Sequence, residues 1–121
     1  MAKSSTEIII GKDTKYQVTL RVESTGGRGF SAFIYGGDKA HVGAVSLVSP
    51  KLEEQMVSLG NEFDEEVASY IATRLADAFR EPASCTAGIE LKGADEKDIQ
   101  QLKINYKATV THYIASYDRT K

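Results

Sequence analysis

Tyr16-Gln17-Val18-Thr19-Leu20-Arg21-Val22-Glu23 alternates apolar and polar side chains without a break. Successive side chains of an extended chain point to opposite faces, so this period of two predicts a strand with one buried and one wet face. Upstream, Glu7 to Ile10 is a β-branched run that stops at Gly11, and Gly11-Lys12-Asp13-Thr14 has turn chemistry. A first strand is expected there, with the small polar residues 1–6 fraying ahead of it. Downstream, Ser24-Thr25-Gly26-Gly27-Arg28-Gly29 punctuates the chain as a turn. Phe30 to Tyr35 and His41 to Val48 read as two more strands, joined by Gly36-Gly37-Asp38-Lys39-Ala40. Strands this close in sequence are expected to pair as antiparallel hairpins. In the last of them Val42, Ala44, Ser46 and Val48 share one face and Val45 and Leu47 the other, which predicts cover on both sides.

Ser49-Pro50 ends the sheet run, and Lys51 to Gly60 is a short amphipathic stretch expected as a loop or a single helical turn. Asn61 then has the chemistry of an N-cap, with Glu62, Asp64, Glu65 and Glu66 in the first turn, where the helix dipole favours acids. Phe63, Val67, Ile71, Leu75 and Phe79 recur at a spacing of four, which predicts a long helix ending near Arg80, ahead of Pro82. Ser84 to Leu91 is a further strand with Cys85, Ala87, Ile89 and Leu91 on one face. Asp95 caps a second helix marked by Ile99, Leu102, Tyr106, Val110, Tyr113 and Tyr117. Runs of strands followed by helices predict an α+β fold, a mostly antiparallel sheet of about four to five strands with two long helices packed on one face.

The length of 121 residues suits one domain, residues 1–121, and 41% apolar residues can build a core. The net charge is −2, from 15 basic and 17 acidic residues, which gives no electrostatic footprint for nucleic acid. Cys85 is the sole cysteine, so no intrachain disulfide forms, as expected of a reducing compartment. The sequence has no apolar run of about 18 residues that would span a membrane and no apolar leader. A cytoplasmic location is expected.

Glycine turns let backbone N–H groups approach an anion closely, so Gly36 and Gly37 are candidates for holding a phosphate, although plain turn chemistry explains them as well. Gly43 lies inside an expected strand, where glycine marks a bulge or the close approach of a ligand or second backbone. No Lys-Ser/Thr follows the glycines, so this is not a P-loop, and no strand-to-helix context supports a dinucleotide fingerprint. His41 follows the loop directly and is read equally as a ligand contact or as a histidine bonded to its own turn. His112 is expected to face solvent. Two histidines and Cys85 lack any zinc spacing, and no metal is expected. Cys85 reads as core packing in preference to a nucleophile. Thr86 and Gly88 fall on the strand face opposite Cys85, where they would line a cleft. The acids of the first helical turn are explained by the helix dipole without a functional role.

Gly36-Gly37-Asp38-Lys39-Ala40-His41-Val42-Gly43-Ala44-Val45, then Thr86-Ala87-Gly88-Ile89-Glu90 and Asp95 to Leu102, resemble the prenylated-flavin chaperone (LpdD-like) domain. That domain is the small D subunit of hydroxyarylic-acid, gallate-type decarboxylases. The resemblance spans roughly residues 16–114. Ala40 stands where the family pattern has proline, and Glu90 where it has histidine. The resemblance implies a carrier that binds flavin mononucleotide, in its prenylated form, and protects or delivers it to a UbiD-type decarboxylase without turnover of its own. It carries Gly36, Gly37, His41, Gly43, Thr86 and Gly88 over as cofactor-binding positions, with Arg74 added as a phosphate contact. Two other readings stand beside it. One is a homo-oligomeric assembly protein without a cofactor, and the other a small His41-dependent enzyme. As a site residue outside the core, His41 would be expected to tolerate replacement by alanine at a cost within roughly 1 kcal/mol.

Overall fold

The structure, a computed structural model, describes residues 4–120, and for 118–120 the backbone alone. Six strands and two helices follow in the order β1 (Ser4–Ile10), β2 (Val18–Ser24), β3 (Phe30–Gly37), β4 (Ala44–Val48), β5 (Gln55–Ser58), α1 (Glu62–Phe79), β6 (Ala83–Glu90) and α2 (Glu96–Thr120). They form a single sheet in the order β1-β2-β3-β6-β4-β5. All neighbours pair antiparallel except β3 and β6, which run parallel. The α+β class holds, with six strands where four to five were expected.

The alternation that predicts the second strand is present as read: Val18, Leu20 and Val22 are fully buried beneath the helices. The register carries that face across the sheet, from Leu20 to Ile34 to Ala87 to Ala44. Val67, Ile71 and Leu75 of α1 and Leu102, Tyr106 and Val110 of α2 close over it. The helices thus share one face, and the other is bare. In β4, Leu47 and the preceding Val42 are exposed, so the cover expected on both sides is absent.

Three expectations are corrected. Residues 1–3 lie outside the described residues, but Ser4 to Thr6 are paired with β2, Ser4 opposite Ser24. Gln55–Ser58, expected as loop or helical turn, is the edge strand β5. The spacing of Leu52, Met56 and Leu59 across the surrounding segment mimics a helix, while the backbone of Gln55–Ser58 completes a ladder with β4. The expected hairpin between the third and fourth strands does not form either, because β6 lies between them. β4 begins only at Ala44, and residues 38–43 form a bridge that carries the chain past β6.

Candidate functional site

The bridge follows from sheet geometry. To pass one intervening strand the chain must travel two strand spacings, about 10 Å, which a two-residue turn cannot do. Gly37 turns the chain out of β3 at φ +75°, a left-handed conformation that suits glycine. The Asp38 and Lys39 N–H groups both donate to the Glu90 carbonyl at the end of β6, and the Asp38 carboxylate accepts from the Lys92 N–H at 2.9 Å. Gly43 N–H then donates to the Ala87 carbonyl at 2.9 Å on the far side. The His41 backbone therefore lies directly over Gly88, and a Cβ at Gly88 would overlap the His41 carbonyl.

His41 turns its ring toward the N-terminus of α1. Its Nε2 lies 2.8 Å from Asp64 Oδ2 and its Nδ1 3.2 Å from the Lys39 carbonyl, with a Glu90 carboxylate oxygen at 3.9 Å. A carbonyl only accepts and a carboxylate prefers to, so both ring nitrogens are asked to donate, which imidazolium alone can do. Burial by itself would lower the His41 pKa. The hydrogen bonds to Asp64 and Lys39 and the charges of Asp64 and Glu90 outweigh it and hold the pKa above the ordinary value. Asp64 is fully buried, yet satisfied. Its Oδ1 accepts from the Ile89 N–H at 3.0 Å, and its own N–H is capped by Asn61 Oδ1 at 3.0 Å. Gly43 completes the arrangement, since a Cβ there would collide with the Asp64 carboxylate. The unexpected glycine inside the run is thus explained by close approach of a side chain.

On the bare face beside this bridge is a shallow pocket of ≈ 430 Å³, lined by Arg21, Phe33, Ile34, Tyr35, Ala40, His41, Val42 and Thr86. The register sets its floor: Arg21 is opposite Phe33, and Phe33 opposite Thr86. Arg21 is half exposed and pairs loosely with Glu23 at 3.4 Å. An aromatic and aliphatic floor with one cation at its margin can accept a flat ring system carrying an anionic tail.

The structure brings His41, Thr86, Gly43 and Gly88 together, with Gly36 and Gly37 at the head of the bridge. It does not bring Arg74 to them. Arg74 lies on α1, in the layer on the opposite side of the sheet, where its Nη1 donates to the Tyr70 hydroxyl and to Thr111 Oγ1. The backbone N–H groups of Gly37, Asp38, Lys39 and Gly43 are all spent on carbonyls. Cys85 is buried in the core, and burial pushes its thiol pKa far up, away from thiolate chemistry.

Sequence reading missed two residues. Asp64 was assigned to the helix dipole alone, although it shares a stripe with Ala68, Ile71 and Leu75 at helical spacing, and an acid in an apolar stripe was the available signal. Arg21 reaches the pocket through long-range pairing that leaves no mark in the local sequence. Among the described residues no group of three or more His, Cys, Asp or Glu is placed to hold a metal ion, and no helix is long and apolar enough to cross a membrane.

The family model described as the prenylated flavin chaperone LpdD-like domain matches residues 12–118, nearly the whole chain. No curated protein matches it in sequence. Among solved structures, a chain from a crystal structure of a novel chaperone complex for yeast 20S proteasome assembly superposes with a TM-score of 0.65 at 12% identity, covering 98% of both chains. At that identity the likeness is one of fold.

Proposed function

The chain belongs to the prenylated flavin chaperone family, and from that premise we propose that it carries flavin mononucleotide, in its prenylated form, in the pocket on the bare sheet face. The observation that supports this most is that the segments bearing the family-like motif, the bridge and the Thr86-to-Gly88 part of β6, frame a pocket with an apolar floor and a cation at its margin. Phe33, Tyr35 and Val42 take the ring system and exclude water from one side of it. Arg21, the cation that lines the pocket and is held only loosely by Glu23, takes the phosphate, because the glycine N–H groups are occupied and Arg74 is on the other side of the sheet. His41 shapes the rim and is held there by Asp64. Gly36, Gly37, Gly43 and Gly88 permit the close backbone contacts that set the rim, and Thr86 lies on the floor. Bound prenylated flavin is cargo, protected by the protein and passed to a UbiD-type decarboxylase in the cytoplasm, with no chemistry performed by this chain.

The test is a thermal-shift series under anaerobic conditions with oxidised, reduced and prenylated flavin mononucleotide. A ligand at one hundred times its dissociation constant adds about 2.7 kcal/mol, a shift of several degrees for a domain of this size. The expected result is a shift largest for the prenylated form and reduced about tenfold in affinity by Arg21→Gln. Absence of a shift with every flavin overturns the reading. That result would favour the second one, an assembly protein, for which the edge strand speaks: Val57 and Leu59 are 73% and 83% exposed.

A further inference from the structure

On the outer side of the helix layer α1 and α2 meet in rungs. Glu66 pairs with Lys103 at 3.4 Å, the Lys107 ammonium stands 5.3 Å from the Tyr70 ring centroid, and Arg74 reaches Thr111 at 3.3 Å. Each rung advances four residues on both helices, so the helices run in the same direction and the rungs occupy consecutive turns. The first rung is neutral, and its Glu66 also accepts from the Tyr106 hydroxyl at 3.2 Å. The next two rungs are not neutral. Among the described residues neither Lys107 nor Arg74 has a carboxylate within ion-pair distance.

Arg74 is oriented as well as charged. Its Nη1 is shared between Tyr70 Oη at 3.1 Å and Thr111 Oγ1, and its guanidinium carbon lies 5.8 Å from the Tyr70 centroid. Nε and Nη2 make no hydrogen bond among the described residues, which leaves part of a planar donor fork available. A shallow pocket of ≈ 370 Å³ adjoins it, lined by Glu66, Ser69, Tyr70, Thr73 and Arg74. Two cations gathered on one aromatic ring repel each other unless a counter-charge lies near them. Glu66 lines the same pocket, but its charge is already offset by Lys103 at 3.4 Å.

We propose that these two rungs form a site for a phosphate-class dianion, separate from the flavin pocket and independent of it. A dianion matches both positive charges, and a tetrahedral oxyanion has acceptors enough for the free guanidinium nitrogens, the Lys107 ammonium and the Thr73 and Ser69 hydroxyls. A carboxylate would leave one cation unmatched. The same chemistry is supplied by free phosphate and by a phosphorylated side chain.

The test is an amide NMR titration of the whole protein at pH 8 with inorganic phosphate, with a phosphoserine peptide, and with acetate and chloride at matched ionic strength. The expected result is saturable shifts centred on Arg74, Lys107 and Thr111, with acetate at least tenfold weaker than phosphate. Arg74→Gln and Lys107→Gln each weaken binding several-fold while their circular dichroism melts stay cooperative, and Arg21→Gln leaves it unchanged. Tighter binding of the peptide assigns the site to a phosphorylated side chain, and equal binding to the free ion. The proposal is overturned if no shifts saturate, if acetate or chloride reproduces them, or if folded Arg74→Gln and Lys107→Gln bind as the wild type does.

Discussion

A carboxylate with no exposed surface survives in a core only if its charge is met, and Asp64 meets it with the His41 ring, the Ile89 N–H and the first turn of α1. Removing one partner leaves the other stranded. Asp64→Ala is expected to cost about 3–5 kcal/mol in urea unfolding, as for a broken buried pair. His41→Ala is expected to cost on the order of 2 kcal/mol, less because the ring is part exposed and more than a residue with no buried partner would. Gly88→Ala fails for a different reason, the overlap of its Cβ with the His41 carbonyl, and melts well below the wild type. The titration of these groups gives stability a shape. The His41 pKa is raised on folding, so its contribution is complete below pH about 6.5 and is lost as pH rises through the folded value. Asp98 runs the other way. The Tyr16 hydroxyl at 2.6 Å, the Asp95 N–H and Lys15 hold its pKa down at about 2 from 3.8, so that contribution is present above pH about 4 and fades toward 2. Thermal melts across pH should therefore peak between these limits, and Asp64→Asn should flatten the alkaline side alone.

Among the elements, those whose instructions are local were legible. α1 is bounded as its caps dictate, from Asn61, whose side chain accepts the Asp64 N–H, to Arg80 in the left-handed region at φ 58°. That conformation costs a non-glycine residue about 1 kcal/mol, so Arg80→Gly is expected to stabilise the protein by up to that amount in chemical denaturation. Asp95 and Asp98 exchange N–H and carboxylate bonds at the start of α2, a cap also visible in sequence. What could not be read was pairing. β3 and β4 are separated by six residues and look like a hairpin, and nothing in those residues announces that Ala83–Glu90 will come between them. β5 escaped because it is only four residues long and lies in a segment whose apolar groups at 52, 56 and 59 carry a helical period. The candidate site followed the same division: His41 and Gly43 stand out locally and Thr86 and Gly88 by strand face, while Asp64 and Arg21 come to it through partners far along the chain.

For the molecule as a whole, the central strand β6 joins two halves that do not otherwise meet in the sheet, β1-β2-β3 on one side and β4-β5 on the other. A fragment ending at residue 82 would lack that strand and α2, and is expected to show no cooperative melt. The full chain should show its slowest amide exchange in β6, which α1 covers and which β3 and β4 flank on both sides. The same insertion sets a problem in time. As the chain leaves the ribosome, the two segments that look most like a hairpin emerge together, and the strand that must separate them arrives more than thirty residues later. The pairing most available to the nascent protein is therefore one it has to avoid or undo. Gly88, over which the His41 backbone is laid, is the point at which the late strand must find room.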